Sequence, residues 1–527
     1  MTDNKKLIDY FFVIGVFLFG LYYYCFRILG FDLSQTPGDF GDSRFINYIL
    51  EHGFKWLNGE DPDFWTANFM YPLKSNVTIS DSMAGALPIY AMFRFTGFGT
   101  ETAYQLWWLS AGILNFWCCF YAFRRIGFRY GLCAIGAYVF AFGINNFNQF
   151  AHLQFYYKFL IPLAAAMLYV FLNKGLARHF IGFVLCFVLQ FYASAYLGVM
   201  LFYFSLFFTC FYLLIRPNRQ RFLSVINKKL LLQCLITVIA GCLALLVVAV
   251  PYHVMAEAMG YRVYDVEMVP YLPRVYSYFF VNQSSLTWDF LKDSPLKNGN
   301  AWYLHDMFPG LFCYIGLAAT FIYVIRAAIK KEKLNYLPLV LFSLCILCVL
   351  LFSKTESGFS LFKYFRVLPG MESMRLTSRF MILETFFLIW LTLFFIDYLF
   401  KRGSVALYSI IILIAITDNL FDTAQLPITK KEDRNKRLED MSRLISFKNR
   451  ERKKIIAVIS TGPQEDVVMQ IDAMLATQKM GIYTLNGYSS TCYGDLCGAY
   501  NDTTHVKLSQ WLRTNNIEEK RVQFIIH

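Results

Sequence analysis

Charge is what this 527-residue sequence has least of: Asp, Glu, Lys and Arg make up 16% of it, against about a quarter in an ordinary soluble domain. That scarcity, with 57% hydrophobic residues and a mean hydropathy of +0.43, excludes a disordered chain, a collagen and a string of soluble domains. Several motifs are missing as well. No GxxxxGK[ST], GxSxG or HExxH occurs, and no pair of CxxC motifs; this argues against an ATP-driven pump, a serine hydrolase and a zinc site. Nor is there an internal repeat, or the corresponding pair of broken helices that marks inverted-repeat transporters. The 13 cysteines lie mostly in apolar runs, where they behave as small hydrophobes. Cys492 and Cys497, close together in a polar stretch, are the one disulfide candidate.

What the sequence has in abundance is apolar runs of roughly 17–22 residues, the thickness of a bilayer core. Eleven are legible, at about 8–29, 103–122, 131–148, 155–172, 180–196, 199–215, 231–251, 309–326, 335–352, 380–400 and 404–420. The first lacks a small-residue cleavage site and reads as a retained anchor. The long stretch 180–215 is divided at Tyr196–Gly198, because a single helix would be too long. The connecting segments carry the charge. Arg124, Arg125 and Arg129; Lys174 and Arg178; Arg216, Arg219, Arg221, Lys228 and Lys229; Arg326, Lys330, Lys331 and Lys333; and Lys401 and Arg402 fall in alternate loops. A cytoplasmic N-terminus puts all five clusters inside, as the positive-inside rule requires. The net charge of +13, which in a soluble chain would suggest nucleic acid, is accounted for by these loops, so no nucleic-acid partner is expected.

This reading makes residues 1–420 a polytopic helical membrane module. Its outer side carries a first loop at 31–102, a second at 252–308 and a late loop at 353–378. Residues 84–96, apolar but short, read as a re-entrant or interfacial helix. After about 421 the composition turns polar. Residues 421–527 alternate a strand (Lys454–Ser460), a helix (464–479), a strand (Ile482–Tyr488), a helix (505–514) and a strand (Val522–Ile526), the pattern of a small extracytoplasmic α/β domain.

The stretch richest in chemistry follows the first run: Thr36-Pro-Gly-Asp39-Phe-Gly-Asp42-Ser-Arg44, continuing to Glu51-His52. Pro37, Gly38 and Gly41 mark a turn, and Asp42 has the placement of a helix N-cap. The spacing of Phe45, Tyr48, Ile49 and His52 predicts a helix through Trp56 with one apolar face, lying along the membrane surface. Capping and turn formation would by themselves explain Asp42 and Asp39. With Asp81, however, they put three carboxylates at the outer face, a set that can supply a general base or oxygen ligands for a cation.

Taken together, Asp39 and Asp42 directly after the first span, Tyr71-Pro72 and Ser80-Asp81 resemble bacterial integral-membrane glycosyltransferases of the GT-C superfamily. So do Asn148-Gln-Phe-Ala-His152-Leu-Gln154, Gly260-Tyr-Arg262 with Glu267, His305-Asp-Met-Phe-Pro309-Gly310, Leu368-Pro-Gly370 with Met374-Arg375-Leu-Thr-Ser-Arg379, and Leu485-Asn-Gly-Tyr488-Ser489. The resemblance implies transfer of a sugar from a polyprenyl-phosphate-linked donor to a glycan, lipid or protein acceptor outside the cytoplasm of a bacterium. Asp42 is then the first choice for the base and Asp39 the second. Arg375 and Arg379, read as one helical turn apart, would share a face and hold the donor phosphate, unless they only bind lipid headgroups. Asp81, His152, Gln154, Arg262, Glu267 and His305 are further candidates. A divalent cation such as Mg or Mn, on Asp39 or Asp81, is left open. The rival reading is a lipid or polysaccharide transporter or flippase, which should carry ionisable residues at mid-membrane depth; here the polar clusters sit at the ends of spans.

Overall fold

Backbone that crosses hydrocarbon must satisfy its own hydrogen bonds, so long apolar runs should be helices. The computed structural model, which describes residues 2–259, 268–293, 305–331, 335–401, 405–462, 466–489, 496 and 498–527, is mostly helical. Among the described residues, eight helices are long and apolar enough to cross a membrane: Leu7–Leu29, Thr100–Ile126, Tyr130–Gln149, Leu153–Lys174, Ala195–Leu214, Lys228–Ala258, Leu311–Lys330 and Thr377–Leu399. The remaining three apolar runs are shorter helices, Ala177–Ala193 and Tyr336–Phe352 with 17 residues each and Val405–Thr417 with 13. The break in the 180–215 stretch falls at Ser194, slightly before the expected point. Ser194 leaves helical geometry and its side chain accepts from the Leu197 N–H, capping the next helix. Residues Leu87–Phe95 form a helix of nine residues, too short to cross.

The first loop departs most from expectation. Its helix, Asp42–Leu57, does not lie with one face open. Every residue from Ser43 to Phe54 is buried, because the end of the chain covers one part of the face that was expected to be exposed and the helices Leu87–Phe95 and Thr100–Ile126 cover another. Strand β1 (Gln35–Pro37) pairs antiparallel with β2 (Ile428–Lys430). Strands β3 (Ile455–Ile459), β4 (Tyr483–Thr484) and β5 (Val522–Ile526) form a parallel sheet in the order β4-β3-β5. The helix Val467–Met480 rests on Asp42–Leu57: Arg44 is ion-paired with Asp472, both buried, and the Gln478 side chain donates to the Tyr48 carbonyl at 3.0 Å. The Met70 N–H donates to the Asn486 carbonyl and the Tyr71 N–H to the Thr484 carbonyl, both at 3.0 Å. The first loop and the segment after 421 are therefore packed together.

Sequence periodicity did not signal the helix Lys431–Lys448, whose charged residues carry no clear apolar stripe. The expected strand Ile482–Tyr488 contributes only Tyr483–Thr484 to the ladder, because Asn486 instead bonds across to Val458, its side chain accepting from the Val458 N–H at 2.8 Å.

The Arg44–Asp472 pair, joined on its open side by Arg437 at 2.6 Å, leaves a buried cation stranded if the carboxylate goes. Asp472→Ala is expected to cost about 3–5 kcal/mol, read as a lowered melting temperature of the purified protein. An unchanged melting temperature would show that the two segments are held together by other contacts.

Candidate functional site

The turn before the Asp42–Leu57 helix decides which carboxylate is available. The sequence gives the capping role to Asp42, but the structure gives it to Asp39. Asp39 Oδ1 accepts from the backbone N–H groups of Gly41 and Ser43, each at 3.2 Å, while Gly41 is the N-cap and Asp42 the first helical residue. The turn is fixed from the far end of the chain. The buried Arg434 guanidinium donates to the carbonyls of Gly38 and Asp39 at 3.1 and 2.9 Å and to Ser43 Oγ at 2.6 Å.

Freed from capping, the Asp42 carboxylate meets two other groups. The Tyr488 hydroxyl donates to Oδ1 at 2.6 Å, and His152 Nδ1 stands 3.6 Å from Oδ2. Burial raises the Asp42 pKa above the usual carboxylate value, opposed by the Tyr488 bond and by the charge of Arg379. Burial, then the charges of Arg379 and Arg375, push His152 well below its ordinary pKa. The Asp42–His152 contact is thus one between a carboxyl group and a neutral imidazole rather than an ion pair. Burial also raises the Asp39 pKa, countered by its backbone bonds.

The two arginines do not share a helical face. Residues 374–376 are not helical, a short 3-10 turn covers Thr377–Phe380, and the long helix starts at Met381. The Tyr196 hydroxyl takes the Leu376 carbonyl at 2.7 Å, drawing it out of any helical ladder. The guanidiniums nevertheless converge electrostatically, since both act on His152. Arg379 lies over the rings of Phe155 and Tyr196, at 4.7 and 5.0 Å, and its Nε donates to Gln149 Oε1 at 3.0 Å. Arg375 lies over the Tyr271 ring at 5.0 Å. Among the described residues neither arginine is ion-paired to a carboxylate.

Asp81 also lies within electrostatic reach of Arg379, but its oxygens are engaged. It accepts from Ser194 Oγ and the Ala195 N–H, both at 2.8 Å, tying the first loop to the helix break, and burial raises its pKa. His305 Nε2 donates to the Tyr271 carbonyl at 3.0 Å and is held neutral by burial, its pKa pushed down to about 4; it supports the ring beneath Arg375. Gln154 is buried, and no hydrogen bond joins its side chain to Asp42 or the arginines among the described residues. Arg262, Glu267, Cys492 and Cys497 lie outside the described residues. Asp39 and Asp81 both accept from N–H or O–H donors, and among the described residues no group of three or more His, Cys, Asp or Glu side chains is placed to hold a metal ion.

Sequence reasoning missed Tyr488, Gln149, Tyr196 and Arg434 as members of the site. Tyr488 and Gln149 stood within quoted motifs and Tyr196 marked the expected helix break; nothing in the sequence marks Arg434. No protein-family model matches the chain, and no curated protein matches it in sequence.

Proposed function

We propose that this chain is a GT-C-like membrane glycosyltransferase that moves a sugar from a polyprenyl-phosphate donor to a glycan, lipid or protein acceptor. On this reading the chain crosses a bacterial cytoplasmic membrane eleven times with its N-terminus inside. The first loop and the segment after 421 lie outside. The observation that carries the proposal is the pairing of functions at one spot: an Asp42 carboxylate free of capping, within electrostatic reach of an Arg379 guanidinium that, among the described residues, is ion-paired to no carboxylate.

The chemistry follows from that pairing. Asp42 takes the proton from the acceptor hydroxyl as its oxygen attacks the anomeric carbon. The bond from that carbon to the phosphate oxygen breaks, and the electron pair leaves with the polyprenyl phosphate. Arg379 and Arg375 meet the charge that develops there. A base with a raised pKa holds the proton it has taken more firmly than an ordinary carboxylate does. His152, neutral and beside Oδ2, orients the carboxylate.

The proposal is tested with the full chain in lipid nanodiscs and a panel of polyprenyl-phosphate monosaccharides labelled in the sugar. Label should pass to membrane-extracted acceptor with release of polyprenyl phosphate. If no sugar on the panel is released, the reading fails. Tyr488→Phe gives a finer check. The Tyr488 bond lowers the Asp42 pKa against burial, so its loss raises that pKa further. Because the base works only when deprotonated, the acid limb of the rate–pH profile should move to higher pH, with a smaller change on the plateau. An unmoved limb would show that Asp42 is not the titrating base.

A transporter reading draws on two buried ionisable groups inside spans. Lys158 donates to Asn146 Oδ1 at 2.5 Å, and Glu384 accepts from the Tyr278 hydroxyl at 3.1 Å. Both stand at the start of their spans rather than in the middle: Lys158 precedes the helix Leu160–Lys174, and Glu384 is in the first turn of Met381–Lys401. Flux of labelled donor across proteoliposomes without sugar transfer would favour that reading.

A further inference from the structure

Beside the Asp42–Arg379 cluster, the polar turn between two membrane helices opens into a cleft. Asn145, Asn148, Gln149, Asp306 and Ser378 line one part, over two methionines and Ile382. The adjoining part shares Asn145, Gln149 and Ile382, reaches His152 and Lys158, and is otherwise walled by aromatic and aliphatic side chains. The amides are ordered by one another: Asn148 Nδ2 donates to Asn145 Oδ1, and Asn145 Nδ2 to Thr385 Oγ1, both at 2.8 Å. Gln149 Oε1 is taken by Arg379, so the cleft abuts the phosphate-binding cation directly. Two buried atoms lining it, Asn148 Oδ1 and Ser378 Oγ, have no hydrogen-bond partner among the described residues. Buried polar atoms are as a rule hydrogen-bonded, to protein, water or ligand, so these two have capacity to receive a ligand.

The chemistry of the lining narrows that partner. Amides, a hydroxyl and a carboxylate supply mixed donors and acceptors, which suit hydroxyl groups, since each hydroxyl both gives and takes. The part that Asn148 and Ser378 line holds no Lys or Arg to receive an anion, and its polar residues outnumber the apolar ones that a lipid tail would need. Each part of the cleft has room for about one water, the size of a hydroxyl rather than of a ring. We propose that the cleft reads one hydroxyl-bearing edge of the donor's sugar, and that Asn148 and Ser378 set which sugar is accepted. This rests on the glycosyltransferase reading and adds a specificity subsite to it.

The test uses the full chain in nanodiscs with polyprenyl-phosphate monosaccharides that differ by epimerisation or removal of a single hydroxyl. Asn148→Ala and Ser378→Ala should each lower kcat/KM for the preferred sugar at least about tenfold and flatten the preference among epimers. Loss of folded protein lowers all sugars alike, so the epimer ratio separates the two effects. Transfer with an unaltered epimer ratio in both variants overturns the subsite and leaves the enzyme reading standing; the cleft would then hold water only. Binding of methyl glycosides at millimolar concentration, followed by saturation-transfer NMR, does not depend on catalysis. Binding that is lost in both variants supports the subsite even if the wild type transfers nothing. Binding retained in both variants, or absent from the wild type together with transfer, overturns it.

Discussion

Asp42→Asn is expected to lower sugar transfer by ~10²–10⁴-fold, the range for loss of a general base, with the protein folded as before. The amide has nearly the carboxylate's shape, and its oxygen can still accept from the Tyr488 hydroxyl. The helix start does not depend on this residue, because Asp39 does the capping. Asp39→Asn should therefore cost transfer much less, an amide oxygen being able to accept from the same two N–H groups. The measurement is single-turnover transfer from a polyprenyl-phosphate sugar, with the melting temperature as a control on folding. Near wild-type transfer by Asp42→Asn would remove it as the base and move attention to Asp39.

Arg379 should show the next largest effect. Its guanidinium is clamped between Phe155 and Tyr196 and bonded to Gln149, so it is positioned before any ligand arrives. A preorganised cation facing a departing phosphate is worth roughly 10²–10³ in rate. Arg379→Lys keeps the charge but loses the planar fork and the stacking, and is expected to lose most of that factor. Arg375, held through a single ring contact, should matter less. Kinetics with the donor varied at saturating acceptor give the answer; a donor kcat/KM unchanged in Arg379→Lys would reduce the residue to a packing role.

How much of this was legible in the sequence depends on the range of the forces involved. The membrane helices are legible because hydrocarbon imposes an apolar run on each, and the parity of basic loops is a property of the whole chain. The cap was misassigned because Asp39 and Asp42 flank the same turn, and the residue that fixes the turn, Arg434, lies almost four hundred positions away. The surface-helix reading of 42–57 failed for a related reason. Arg44, Asn47 and Glu51 look like a wetted face, yet each is itself buried against a partner: Asp472, Glu101 and the half-buried Arg94. The arginine spacing misled because it assumes helix where the Tyr196 hydroxyl removes a carbonyl from the ladder. Contacts of that kind leave no local periodicity to read.

The union of the first loop with the last hundred residues also sets an order of events during synthesis. Asp42 leaves the ribosome 446 residues before the Tyr488 that bonds to it, and the turn beside it waits nearly as long for Arg434. Through most of translation the loop has neither its clamp nor its covering helix. At bacterial elongation rates of about 5–20 residues per second, that interval is tens of seconds. On the proposed topology, an unfinished or truncated chain can sit in the membrane with every earlier span inserted and still be inert. On the proposed function, activity would begin only when the final segment has closed over the loop, and a nascent chain would not consume lipid-linked sugar before then.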